Sequence, residues 1–82
     1  MVTDRERIAN LAANVRRLML RENISQQKLA ARSGIPQVTI SRILNARNDP
    51  AVSIVSRLAE AFDTSVDKLL EAPPAKILAN AS

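Results

Sequence analysis

The chain has 82 residues, enough for one small domain with a modest core and no further layer to enclose a deep substrate pocket. It contains no cysteine and no histidine, which excludes disulfide frameworks, zinc fingers, thiol nucleophiles and histidine acid–base chemistry. The net charge is +4, and the hydrophobic fraction of 46% includes one aromatic residue, Phe62, so the composition favours helices packed through aliphatic side chains over a β-sandwich.

The first predicted element is an amphipathic helix that ends near Asn23. Its apolar residues recur at helical spacing, at Ile8, Leu11, Ala12, Val15, Leu18 and Met19. Asn23 is suited to end this helix because asparagine tolerates the left-handed backbone conformation. Ser25 is then a candidate N-cap for a short second helix, Gln26 to Arg32.

A tight turn and a third helix follow. Gly34 is the only glycine of the chain, and it permits the positive φ that a tight turn between two helices requires. Pro36 has a backbone suited to a helix start, so we predict a third helix from Gln37 to Leu44 or Asn45.

The remainder predicts two more helices and a tail. Residues 46–50 form a loop in which Asp49 is a candidate helix cap, and a fourth helix runs from Val52 to Phe62. Ser65 caps a short fifth helix. Pro73 and Pro74 end regular structure. The prediction is therefore an all-α domain of five helices over residues 1–72, with residues 73–82 as a tail or linker.

The charge is unevenly distributed. Residues 16–47 carry seven basic side chains and one acidic one, a net +6, whereas residues 48–82 carry three basic and five acidic ones, a net −2. This asymmetry suggests that one half of the domain faces a polyanion, although solvated helix faces are often basic as well. No apolar run reaches the length of a membrane span and the first residues are polar, so we expect a cytoplasmic protein without membrane contact.

The third predicted helix has two different faces. At about 100° per residue, Ile40, Ile43 and Leu44 fall on one side and form the buried stripe. The opposite side carries side chains that can read the edges of bases in the major groove, namely Gln37, Val38, Ser41, Arg42 and Asn45. Taken alone, these residues are equally compatible with an ordinary solvated surface.

The run from Gln26 to Asn45 resembles the helix-turn-helix of the phage lambda repressor/Cro-like family, also called the Xre family, and the resemblance extends from about Ile8 to Leu70. The matching positions have physical reasons: a small residue where two helices cross, a glycine at the turn, and two isoleucines that hold the third helix on the core. These positions are Ala30, Gly34, Ile40 and Ile43. The resemblance implies a compact five-helix fold and a repressor-type regulator that binds double-stranded DNA.

The resemblance also implies roles for individual residues. In this family the second helix lies across the DNA backbone and the third enters the major groove. The implied phosphate contacts of the second helix are Ser25, Gln26, Gln27 and Lys28. The implied base contacts of the third helix are Gln37, Val38 and Arg42, helped by Thr39 and Ser41. The loop that follows implies further phosphate contacts at Asn45, Arg47 and Asn48.

The chain departs from the family pattern at two positions. Ala46 stands where the family commonly has glycine, so either Ala46 adopts a strained left-handed conformation or Asn45 takes over that role. Pro36 stands where a serine or threonine cap is usual, so one phosphate-binding hydroxyl is expected to be missing.

The resemblance implies a homodimer on a near-palindromic operator, because one recognition helix covers only a few base pairs. The candidate dimer contacts are apolar residues of the less basic C-terminal part: Val66, Leu69, Leu70, Ile77 and Leu78. For the residues of the fifth helix, closure of the core is an equally good interpretation. The chain is either complete or the N-terminal part of a longer repressor with a further C-terminal domain.

Three other functions are alternatives to an operator-binding repressor. An antitoxin would bind its own operator and hold a toxin partner on another surface. A protein-interaction module would have lost DNA binding, which the retained Gln37 and Arg42 argue against. An enzyme is disfavoured because the carboxylates are scattered and no glycine-rich phosphate loop or nucleophile–base pair exists. We expect no cofactor and no metal ion.

Overall fold

The computed structural model describes residues 3–74, which form five α-helices and, within that range, no strand. The helices are α1 (Asp4–Glu22), α2 (Gln26–Ser33), α3 (Gln37–Leu44), α4 (Val52–Ala61) and α5 (Val66–Leu70). The predicted all-α, five-helix fold is therefore confirmed, and the helix ends differ from the predicted ones by one residue at α2 and α4. Ile77 and Leu78, two of the candidate dimer contacts, lie outside the described residues.

The helices surround one core. Helix α1 packs on α3 and α5, α2 packs on α3 and α4, and α4 packs on α5. The predicted stripe of α1 is confirmed, since Leu11, Val15 and Leu18 are all buried. Ile35 is buried in the α2–α3 turn, and Leu29 and Leu58 are fully inaccessible to solvent. The small helices are stable only because their apolar faces share this core.

Asn14 is the buried polar residue of the described range, with 1% of its surface exposed. Its Nδ2 donates to the carbonyl oxygens of Leu69, at 2.9 Å, and Glu71, at 2.8 Å. One turn earlier in α1, Asn10 Nδ2 donates to the carbonyl oxygen of Leu70 at 3.1 Å. Two side-chain amides of α1 thus bond the C-terminal carbonyls of α5. With five residues, α5 is too short to be stable without such tertiary contacts.

Four helices end at residues with positive φ: Asn23, Gly34, Ala46 and Asp63. After α3, the amide of Ala46 donates to Ile43 O at 3.0 Å and the amide of Arg47 donates to Arg42 O at 2.9 Å. This is the Schellman motif, in which the amides of a left-handed residue and of the residue after it donate to carbonyl oxygens in the last turn of the helix. Equivalent pairs of bonds follow α1 and α4.

The conformations at residues 45 and 46 decide between the two alternatives raised by the missing glycine. Ala46 adopts φ 53°, whereas Asn45 keeps φ −92°. The alanine therefore takes the strained role, and Asn45 stays at negative φ, near the bridge region between helix and strand conformations.

The caps of three helices were predicted. Ser25 Oγ accepts from Lys28 N at 3.1 Å, and Ser65 Oγ accepts from Lys68 N at 3.2 Å, so both serine caps are confirmed. The prediction for Asp49 is wrong: the N-cap of α4 is Ala51, with no side-chain hydrogen bond. Asp49 lies two residues before that position with Pro50 between, so its carboxylate does not reach the amides of the first turn.

The strain at Ala46 leads to a stability prediction. Ala46→Gly should raise the free energy of unfolding by about 1 kcal/mol, because glycine adopts positive φ without a steric penalty from Cβ. Urea denaturation followed by circular dichroism measures the change. The matched control is Ala9→Gly in the exposed interior of α1, which should lower stability by about 1 kcal/mol. A loss of stability in both variants would contradict the assignment of strain to Ala46.

Candidate nucleic-acid interface

The turn between α2 and α3 is held by several independent contacts. Gly34 has φ 73°, and its amide donates to Ala30 O at 2.9 Å. Ser33 Oγ donates to Leu29 O at 2.7 Å and accepts from Ile35 N at 3.3 Å. Ile35 itself is 1% exposed and anchors the turn in the core. The angle between the two helices is therefore fixed by the backbone conformation, by hydrogen bonds and by burial together.

Helix α3 presents the face that the sequence predicted. Ile40, Ile43 and Leu44 are buried, which confirms the apolar stripe. Gln37, Val38 and Arg42 are exposed. Val38 leaves 60% of its surface in solvent, so an apolar side chain is part of this exposed face.

The predicted base-contacting residues all keep free surface on this one helix. Thr39 and Ser41, the two hydroxyl side chains, are half-buried at its flanks. Because the opposite side is occupied by the core, α3 has only this polar face to offer a partner.

The N-terminus of α2 has spare hydrogen-bond donors. Ser25 Oγ accepts the Lys28 amide, which leaves the serine O–H free to donate elsewhere. The amides of Gln26 and Gln27 donate to no acceptor in residues 3–74. The first turn carries no acidic side chain, so the positive end of the helix dipole is uncompensated. This set of groups favours an anion.

The loop after α3 presents its three candidate residues unequally. Arg47 is exposed. Asn45 Nδ2 is bonded back to Ser41 O at 2.9 Å, which leaves one of its N–H groups available. The amide oxygen of Asn48 is buried and has no partner among the described residues, so this side chain turns partly inward. At the start of α3, Pro36 makes no side-chain cap hydrogen bond, as expected from its missing hydroxyl.

Most basic side chains of residues 16–47 are available to a partner. Arg32 forms a salt bridge with Glu22 at 2.5 Å, so the one acidic residue of segment 16–47 is already used. The other six basic residues of that segment make no salt bridge with any residue in the described range. Four of them are exposed near α2, α3 or their connections: Arg16, Lys28, Arg42 and Arg47.

Arg16 is a residue of this region that the sequence reasoning missed. Its Nη2 donates to Leu44 O, at the C-terminus of α3, at 3.0 Å. The available signal was its place in the basic segment, but the contact joins positions 28 residues apart and depends on how α1 packs on α3.

The candidate dimer residues of α5 occupy different environments. Leu69 is 1% exposed and belongs to the core, as in the second interpretation of this helix. Val66 and Leu70 are half-buried and line a groove with the apolar residues Ile8, Val52 and Val55. Val52 is 74% exposed at the edge of this groove.

The described residues contain no group of three or more side chains that could hold a metal ion. Within the same range, no helix is long and apolar enough to cross a membrane.

The chain is similar to known helix-turn-helix proteins. A comparison with proteins of curated function gives no match. The structure is similar to the crystal structure of the hypothetical transcription factor NHTF from Neisseria, with a TM-score of 0.79 and 26% sequence identity, over 100% of this chain and 91% of that chain. The family model HTH_3, described as helix-turn-helix, matches residues 15–69 and so spans α2, the turn and α3. The chain therefore belongs to the helix-turn-helix family HTH_3, the Xre or lambda repressor-like group of DNA-binding transcriptional regulators.

Proposed function

We propose that this regulator is a repressor that binds a palindromic DNA operator as a homodimer and reads its bases with α3. The observation that carries the proposal is the division of α3 into a buried apolar stripe and an exposed face with Gln37, Val38 and Arg42. Bound to its operator in the cytoplasm, the dimer blocks access of the polymerase. In this proposal, residues 1–72 form the DNA-binding domain and residues 73–82 are a tail or linker.

The proposed base contacts follow from side-chain chemistry. Gln37 has both a donor and an acceptor and can pair with the major-groove edge of adenine, whereas the forked guanidinium of Arg42 matches guanine. The exposed apolar side chain of Val38 can contact the methyl group of thymine. The hydroxyls of Thr39 and Ser41 donate to bases or phosphates at the flanks.

The proposed phosphate contacts set the register of the protein on the duplex. At the N-terminus of α2, free amides and the Ser25 hydroxyl meet one phosphate, assisted by the side chains of Gln26, Gln27 and Lys28. After α3, Arg47 is the best presented residue, and Asn45 and Asn48 contribute through their amide N–H groups.

The proposed dimer uses the groove between the N-terminal ends of α1 and α4 and helix α5, which is lined mainly by apolar side chains together with Arg7 and Asp49. A two-fold contact places the same patch on both protomers, and the exposed Val52 beside the groove is suited to enter the partner's groove. Val66 and Leu70 line that groove, while Leu69 supports α5 from the core.

The experiment that tests the function is selection of ligands from a random double-stranded DNA library at about 150 mM salt, where weak non-specific binding is suppressed. We expect a two-fold symmetric consensus. Arg42→Ala should lose about 1–3 kcal/mol of binding free energy and relax the preference at one base pair of each half-site, because one forked base contact is removed.

The control for Arg42→Ala is Arg21→Ala, which removes the same charge from an exposed position of α1. It should keep the full consensus. If Arg42→Ala retained both the wild-type consensus and the wild-type affinity, the assignment of base reading to this face of α3 would be wrong.

The dimer gives a separate prediction. Val52→Glu should leave the affinity for a duplex with one half-site unchanged. A second half-site raises the affinity about 100-fold or more when two linked modules bind together, and the variant should lose most of that increase. The reason is that the new carboxylate would be buried among the apolar residues of the partner's groove. Fluorescence anisotropy with half-site and full-site duplexes measures both quantities. Ala31→Glu, on the exposed side of α2, is the charge-matched control; an equal loss in both variants would argue against this groove as the interface.

A further inference from the structure

The C-terminus of α3 is completed by a side chain from another helix. The last four carbonyls of a helix have no partner within it. In α3, Ser41 O, Arg42 O and Ile43 O are bonded by the local turn, through the amides of Asn45, Arg47 and Ala46. The fourth, Leu44 O, accepts from Arg16 Nη2 of α1 at 3.0 Å. Arg16 therefore supplies the one hydrogen bond that the turn after α3 does not make.

Arg16 lies between two elements of the proposed DNA backbone contact. It lines a shallow groove together with Leu44, the last residue of α3, and Gln26, the first residue of α2. Asn23, which turns the chain from α1 into α2, lines the same groove. The guanidinium is thus held beside the two backbone-contacting segments of the proposal, the start of α2 and the loop after α3.

The guanidinium has unused capacity. An arginine has five N–H donors, and Arg16 uses one group on Leu44 O. The side chain is exposed, and no carboxylate of the described residues forms a salt bridge with it. A cation at this place is also stabilised by the negative end of the α3 dipole. Together with the hydrogen bond to Leu44 O, this favours a guanidinium placed at the end of α3 before any ligand binds.

We propose that Arg16 is a ligand for a DNA backbone phosphate, oriented for that contact by its hydrogen bond to the C-terminus of the recognition helix. This inference rests on the proposed function and adds a contact from α1, outside the helix-turn-helix itself. The ligand is a phosphodiester rather than a base, because Arg16 lies at the C-terminal end of α3, whereas base reading in this geometry is led by the N-terminal end. Because one guanidinium joins α1, α3 and the phosphate, it couples backbone binding to the placement of α3.

The number of phosphate contacts is measured by the salt dependence of binding. Each contact contributes a slope of about −0.9 to log K against log salt concentration on duplex DNA. We expect Arg16→Ala to make the slope less steep by about 0.9, and to weaken binding about tenfold on cognate and non-cognate duplexes alike. Arg16→Lys, which keeps a phosphate-binding charge, should recover most of the slope. Arg21→Ala, the same charge change on α1 outside the groove, should leave the slope within error of wild type.

The outcomes separate a phosphate ligand from a helix cap. If Arg16→Ala lowered the thermal midpoint but kept the wild-type salt slope, Arg16 would be a structural cap only and the proposal would fail. If Arg21→Ala changed the salt slope as much as Arg16→Ala, the loss of net charge alone would explain the result, and the proposal would also fail. Failure of the proposed operator function would be recognised separately, because the wild-type protein would then select no consensus, while the slopes on a random duplex would still decide the role of Arg16.

Discussion

The fold depends on four residues with left-handed backbone conformation, Asn23, Gly34, Ala46 and Asp63, which end the first four helices. Helices α2 and α3 have eight residues each and α5 has five, lengths at which an isolated helix is unstable in water. They form only if the chain reverses sharply enough for their apolar faces to meet. Each left-handed residue makes that reversal within two or three positions, and the shared core then stabilises helices and turns together.

This constraint also determines what α3 can do. The turn at Gly34 and the buried Ile35 fix its direction relative to α2, and its apolar stripe fixes its rotation about its own axis. The side chains of Gln37 and Arg42 are exposed, and neither forms a hydrogen bond or a salt bridge with another residue in the range 3–74. The residues of α3 that stabilise the fold are therefore different from those that we propose read the DNA sequence. Substitutions on the polar face are expected to change the preferred DNA sequence at little expense in folding.

The sequence predicted most of the fold because the relevant signals are local. Apolar spacing located the helices, and serine caps and the single glycine located their ends. It failed where the outcome depends on tertiary packing. The cap assigned to Asp49 was wrong because Pro50 and Ala51 carry the chain onward before α4 begins. Asn14 and Arg16 bond carbonyls 55 and 28 residues away, and nothing near them in the sequence indicates those partners.

The candidate site was predictable to a similar extent. The two faces of α3 followed from helical spacing and the resemblance of residues 26–45. The sequence alone did not decide whether Asn45 or Ala46 is the left-handed residue. The two residues are neighbours, and a positive φ at either one is compatible with a turn after α3. The division of α5 between core and surface also required the structure, which buries Leu69 and leaves Val66 and Leu70 at the edge of a groove.

The most direct test of the central claim is to map the DNA-contacting surface by amide chemical-shift changes in isotope-labelled protein titrated with its selected duplex. The account predicts that the largest changes fall in three segments: residues 25–28 before and within α2, residues 37–42 of α3, and residues 45–48 after it. Changes concentrated instead on α4, α5 and the N-terminal half of α1, with α3 unaffected, would show that the exposed face of α3 is not the surface that meets DNA.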